Sequence, residues 1–438
     1  MNTRIVAVCL WLGTGLVVNG AQAGQDIAPD QIVSATLAHS PALQSAEKEM
    51  EAAQARKSQA DARALPFLTF DASAARYTGL RESELGPSVV IPALEDRYAA
   101  SVTLSQPLYT GGSVSGQKEG AEFQKRASAQ NLRGTQADLT LAALTTYWNW
   151  SMSYYALNSL QSAVARMEQH ATDMHNLHSA GLATDNDALA TDVLLDQTRL
   201  RMQTAQRGTE IARAQIAYLT GQDLPTEAVP IQASTEPMPA VLEESEAVTI
   251  AMTNRPERAA RQLELEAAKS QHKVSRADLF PHVYLTAQYE EANPNNLFFP
   301  PEDQWNDDGF AGVTVTWSIL DWGLTQGKAR EAQARADQAR LRLTQQEELI
   351  LLDVREARTS LQNARDRVPV TESAEKSARR NLDAATDLWK NGLARHSDVL
   401  DAHAQLTDAQ FQSIAARADV ELALATLKHA IGKLDAAP

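Results

Sequence analysis

The sequence predicts a mixed α and β fold, mostly α, in which one architecture is written twice and each copy joins a strand pair to a very long helix. Three observations predict it. Residues 102 to 221 reappear as residues 313 to 432 at a constant offset of 211, without insertion or deletion. Each copy holds two segments that alternate apolar and small polar side chains at period two, the signature of a strand with one apolar face. Each copy then runs into a helical stretch of some 68 residues, about 113 to 180 and 324 to 391.

The chain opens with Arg4, an apolar stretch from Ile5 to Val18, and Ala21-Gln22-Ala23. This pattern reads as a secretory signal peptide over residues 1–23, since the apolar run falls short of the roughly 20 residues a spanning helix needs. Cys9, the only cysteine, lies within it and follows Val8 rather than the small residue that lipid attachment requires, so neither a disulfide nor an acyl anchor is expected. The net charge of −15 argues against a nucleic-acid partner.

The first repeat, 24–240, is read in order. Residues 30 to 64 are spaced as a helix that Pro66 ends. A strand pair follows at 66–77 and 98–110, then a long helix at 113–180, a return helix at 187–220 and a linker. The second repeat, 241–438, agrees: a helix, a strand pair at 281–290 and 310–320, a long helix at 324–391 and a return helix at 398–431. An earlier stretch repeats at an offset of 215, as in Pro41/Pro256 and Pro66/Pro281, so the length difference sits in the loop between the strands of each pair.

The long stretches are rich in alanine, with Gln, Arg, Asp and Glu between the small residues, which suits close coiled-coil packing. At 1.5 Å per residue each reaches roughly 100 Å. Pro369 has no counterpart in the first copy, so a local kink is expected there. Gly181 and Gly392 end the long helices, and Asn186 and Ser397 are the expected N-caps of the return helices.

Four strands with one apolar face cannot close a barrel, because the smallest membrane barrels have about eight. In hydrocarbon an open sheet would leave two unsatisfied edges, so the chain must associate with copies of itself. Phe67, Phe70, Tyr109, Phe280, Tyr284, Tyr289, Trp317 and Trp322 cluster near strand ends, as an interfacial aromatic belt would. Beside a signal peptide and without membrane helices, they favour an outer-membrane barrel. The competing reading is a soluble periplasmic coiled-coil scaffold, against which the apolar strand faces speak.

The order of helix, strand, long loop, strand, very long helix, Gly-Leu-x-x-x-x-Asp-x-Leu turn and returning helix is duplicated across residues 27 to 434. With Gln106-Pro107-Leu108-Tyr109-Thr110-Gly111-Gly112 and Ser318-Ile319-Leu320-Asp321-Trp322-Gly323 at its strand-to-helix junctions, it resembles the TolC family of outer-membrane efflux proteins. The resemblance implies a homotrimer pooling twelve strands, four per chain, into one outer-membrane β-barrel in contact with outer-membrane lipid. The barrel would continue as a helical coiled-coil tunnel into the periplasm. It also implies docking to a periplasmic adaptor (membrane fusion) protein and an inner-membrane pump of RND, ABC or MFS type. Such a channel is a passive exit duct for small toxic compounds or secreted polypeptides. It is not an enzyme and needs no cofactor.

Asp398 and Asp401 lie one helical turn apart and project from one face. By the resemblance they narrow the periplasmic entrance. Asp398 has a counterpart in Asp187 and so also suits a helix-dipole role, whereas Asp401 is matched by Ala190. The family's entrance arginine would fall at Ala394, beside Arg395. The hairpin tips, with Gly181, Leu182, Asp187, Gly392, Leu393 and Arg395, resemble the family's adaptor-docking surface. His170, His175 and His178 span about 140° of helix, too wide for three ligands of one ion, and His396 and His403 fare no better; no metal site is expected.

Overall fold

The structure, a computed structural model, describes residues 26–84, 86, 90–233 and 241–434. The signal-peptide reading of residues 1–23 therefore lies outside the described residues. Helix α1 (Pro29–His39) and helix α2 (Pro41–Ala62) replace the single helix expected over 30–64. Pro41 is the reason. It donates no N–H and drives Ser40 to ψ 116°, while the Ser40 hydroxyl accepts from Leu43 N at 3.3 Å to start the new helix. The second repeat breaks in the same way at Arg255–Pro256, between α5 (Glu244–Asn254) and α6 (Pro256–Ser275).

Four strands form one antiparallel sheet: β1 (Phe67–Arg76), β2 (Asp96–Thr110), β3 (His282–Asn293) and β4 (Asn306–Thr316), in that order. The β2–β3 pairing joins the two repeats, with Val102 opposite Tyr289 and a register shift between Pro107 and Tyr109. Period two and the register fix the faces. One face carries Leu68, Phe70, Val102, Leu104, Leu285 and Val313. The opposite face carries Thr69, Thr103, Gln288 and Thr314, together with a rung in which Asp71, Ser101, Glu290 and Asp308 stand directly opposite one another. Strands β1 and β4 each have an edge with no partner in the sheet.

The fourth strand ends at Thr316, not at residue 320. Trp317 turns back to donate its indole N–H to Leu279 O at 3.2 Å, and Trp322 adopts φ 54°, so strand geometry is lost. The Asp321 carboxylate then caps the next helix, accepting from Gly323 N at 3.0 Å and Thr325 N at 2.8 Å; these bonds hold its pKa below the usual carboxylate range, with Thr325 the main cause. At the first junction Gly111 has φ 59°, and a Cβ there would meet Ala277 O at 2.2 Å. Only glycine allows this crossing of the two repeats.

Helices α3 (Ser113–Ser179) and α7 (Leu324–Lys390) have 67 residues each, and α4 (Asp185–Thr220) and α8 (His396–Ala430) return alongside them. The expected kink at Pro369 does not interrupt α7, which continues through it, with Thr371 donating back to Arg367 O at 3.0 Å. None of the described helices is long and apolar enough to cross a membrane. Buried alanines line the contacts, as at Ala143, Ala357, Ala402 and Ala416, so the helices approach closely. Larger side chains concentrate mid-bundle, where Tyr147, Trp150 and Ile216 are fully buried. Tyr147 donates to Ile27 O at 2.7 Å and accepts from Ile231 N at 2.8 Å, tying the residues just before α1 and the linker to α3; burial pushes its phenol up to about 12.

Candidate functional site

Both hairpin tips are built by one local rule. In the first, Leu182 N donates to Leu177 O at 2.8 Å and Gly181 N to His178 O at 2.9 Å; in the second, Leu393 N donates to Leu388 O and Gly392 N to Trp389 O, both at 2.9 Å. These are Schellman closures, and they need the positive φ that Gly181 (74°) and Gly392 (72°) supply. Such closures usually bury the leucine that follows. Here Leu182 is 77% exposed and Leu393 75%, so each tip presents an apolar side chain to solvent.

The N-caps are Thr184 and Arg395, one residue before α4 and α8, in place of Asn186 and Ser397. The reason lies three residues downstream. Asp187 N donates to the Thr184 hydroxyl at 3.2 Å and the Asp187 carboxylate accepts from Thr184 N at 3.2 Å, a reciprocal box; the carboxylate also accepts from the Thr184 hydroxyl at 2.6 Å, the main cause of its pKa lying below the usual carboxylate range. In the second tip Asp398 accepts from Arg395 N at 3.1 Å, but arginine has no side-chain acceptor to return the bond.

Asp398 and Asp401 are exposed on α8, while Val399 and Ala402, the residue after each, are buried against α7. Asp398 is thus committed to its cap. Asp401 has neither a hydrogen bond nor an ion pair among the described residues and is a free carboxylate three residues further along the same exposed stripe.

The three histidines of α3 separate. His175 pairs with Asp192 at 3.1 Å and His178 lies 4.0 Å from Asp185, both at the surface. His170 instead turns inward, meeting His396 and His403 of α8 and Trp389 of α7 with ring centroids 5.1, 5.6 and 5.6 Å away. This cluster was not legible in the sequence, because its members come from both repeats and no periodicity links them. Burial lowers the pKa of His170 and His403 to about 4 and lowers that of His396. Elsewhere Asp138, Glu257 and His429 bring one ligand-type atom each within 4.8 Å of the others. There His429 is paired with Asp138 at 2.8 Å and Glu257 with the buried Arg255 at 3.1 Å, so the positive charge is already supplied.

This architecture has known counterparts. A family model described as outer membrane efflux protein matches residues 32–222 and 248–433. Protein CyaE of Bordetella pertussis is 25% identical over 279 residues, 62% of this chain and 56% of that protein, so the chain spans little more than half the length of this curated relative. Among solved structures, the outer membrane protein VceC of Vibrio cholerae is 21% identical with a TM-score of 0.76, covering 92% of this chain and 96% of that one. The CmeC outer membrane channel of Campylobacter jejuni is 16% identical with a TM-score of 0.80, covering 93% and 86%. These two likenesses fix the fold, and the family match extends over most of both repeats. The chain therefore belongs to the outer membrane efflux protein family.

Proposed function

We propose that three copies of the chain form a passive exit duct across the outer membrane, serving a tripartite efflux or type I secretion assembly. The two-faced sheet carries this reading. The apolar face of Phe70, Val102, Leu104 and Val313 suits hydrocarbon, whereas the rung of Asp71, Glu290 and Asp308 on the other face demands water. With the outer edges of β1 and β4 unpaired, three sheets joined edge to edge give a closed twelve-stranded barrel with a polar lumen. The soluble scaffold reading offers no cover for the apolar face.

The hairpins form the other end of the duct. Asp398 and Asp401, repeated by a threefold axis, place six carboxylates at the periplasmic entrance and make it narrow and cation-attracting. The exposed Leu182 and Leu393 beside Asp187 and Arg395 suit an adaptor that seats on both tips, and an inner-membrane pump of RND, ABC or MFS type supplies the energy. Small toxic compounds and secreted polypeptides are the substrate classes. The chain acts as a conduit and carries out no chemistry.

Purified from membranes in detergent, the protein should have the mass of three chains and open steady pores in planar bilayers. A stable monomer that leaves the membrane on carbonate washing would overturn the reading.

A further inference from the structure

Four aromatic rings from three helices meet just inside the hairpin tips. His170 of α3 lies at centroid distances of 5.1 Å from His396, 5.6 Å from His403 and 5.6 Å from Trp389, and Trp389 is 5.5 Å from His396. The α3/α4 hairpin belongs to one repeat and the α7/α8 hairpin to the other, so the cluster fastens one hairpin to its counterpart. His396 and His403 bracket Asp398 and Asp401 on the same helix, two residues outside each.

The Thr191 hydroxyl donates to Asp187 O at 2.8 Å and lies 2.7 Å from His396 Nε2, so the proton is assigned to His396 Nε2, which donates to Thr191. His396 Nδ1 is then a bare acceptor, buried without a partner, and His170 Nε2 is likewise buried and unpartnered. His396 is only 7% exposed. A second proton on His396 would place a new N–H in a pocket with no acceptor for it.

We propose that His170, His396 and His403, closed by Trp389 and Thr191, are an interlock that holds the α7/α8 entrance hairpin against the α3/α4 hairpin and releases it in acid. The inference rests on reading Asp398 and Asp401 as the entrance.

Charged groups face the cluster from three helices. From α3 come Arg166 and Asp173, from α4 Asp187, and from α7 Lys390, with Arg379 facing Arg166. Asp173 and Asp187 favour protonation, Arg166 and Lys390 oppose it, and Arg379 is paired with Glu375 at 3.0 Å, so burial and the unpartnered ring nitrogens carry the cost of a charge here. Protonated imidazoles would also repel one another. His170 and His403 stand at about 4 in the closed arrangement against an ordinary 6.5, chiefly through burial. The released hairpin therefore binds more protons than the closed one between these limits. The interlock is at full strength above the upper limit and weakens progressively as pH falls toward the lower.

The test places nitroxide labels on Leu182→Cys and Leu393→Cys, both exposed, in a mature chain that has no other cysteine once residues 1–23 are removed. Labelled chains are diluted with unlabelled ones so that each detergent-purified trimer holds one labelled copy. A single narrow distance is expected near neutral pH, and a second, longer component should grow as the sample is acidified through the titration range. In His170→Phe/His403→Phe, which keeps a ring at each position without those two titrating groups, the acid component should shrink at least several-fold. An unchanged distribution in the wild type overturns the proposal whatever the variant does. So does a variant, confirmed trimeric by mass, that keeps the full acid response. Conductance recorded on the same preparation separates the two readings: tips that part in acid with no change in conductance would refute the entrance assignment and leave the interlock standing.

Discussion

His396 and Thr191, 205 residues apart in the chain, share a buried hydrogen bond of 2.7 Å that joins the return helix of one repeat to that of the other. It sits where the duplicated halves must agree on a single geometry.

Thr191→Val keeps the shape of that contact and removes the acceptor. His396 Nε2–H would then be buried without a partner, which costs about 1–3 kcal/mol. Thermal unfolding of the trimer should show the loss, whereas Thr191→Ser should retain most of the stability.

The two carboxylates proposed for the entrance should separate in their effects. Asp401 has no capping duty, so Asp401→Ala should raise single-channel conductance and weaken block by multivalent cations with little change in stability. Asp398→Ala should do both and also cost about 0.3–1 kcal/mol through the loss of its negative charge at the start of α8. Planar-bilayer recordings of the double mutant that match the wild type in conductance and cation block would make these ordinary surface aspartates.

The faces of the sheet can be tested at two adjacent residues. Val102→Arg would put a guanidinium on the apolar face at a cost of about 2–4 kcal/mol near the membrane midplane, and should sharply reduce trimer recovered from the outer membrane. Thr103→Arg points to the opposite, polar face and should leave the yield of trimer close to the wild type while shifting ion selectivity. Equal loss from both would contradict the assignment of lumen and lipid.

Tyr147 is a structural pin. Tyr147→Phe leaves Ile27 O and Ile231 N without their shared hydroxyl at 2.7 and 2.8 Å, and should lower stability by about 1–3 kcal/mol while leaving conductance unchanged. Denaturant unfolding together with bilayer recording would check both halves of that expectation.

Much of this protein is local and therefore legible. A two-residue period fixes the strand faces wherever Val102, Thr103 and Leu104 follow one another, and Gly181 and Gly392 end their helices because only a positive φ closes a Schellman turn. The constant offset of 211 reveals the duplication without any contact being known. The helix breaks at Pro41 and Pro256 were equally local, yet the helical pattern on either side obscured them. Asp398 and Asp401 were visible as neighbours on one face for the same reason of short range.

Other features were decided in three dimensions. Asp187 and Asp398 draw the N-caps back to Thr184 and Arg395 through bonds that depend on the turn already being closed. Gly111 is required by Ala277 O, an atom of the other repeat. His170, which in sequence belongs with His175 and His178, is taken from them by the way α3 packs on α8, and joins His396 and His403 instead. Sequence periodicity says which side of a helix is buried, but the partner on that side is set by how two long helices cross, and only the packed tertiary structure fixes that.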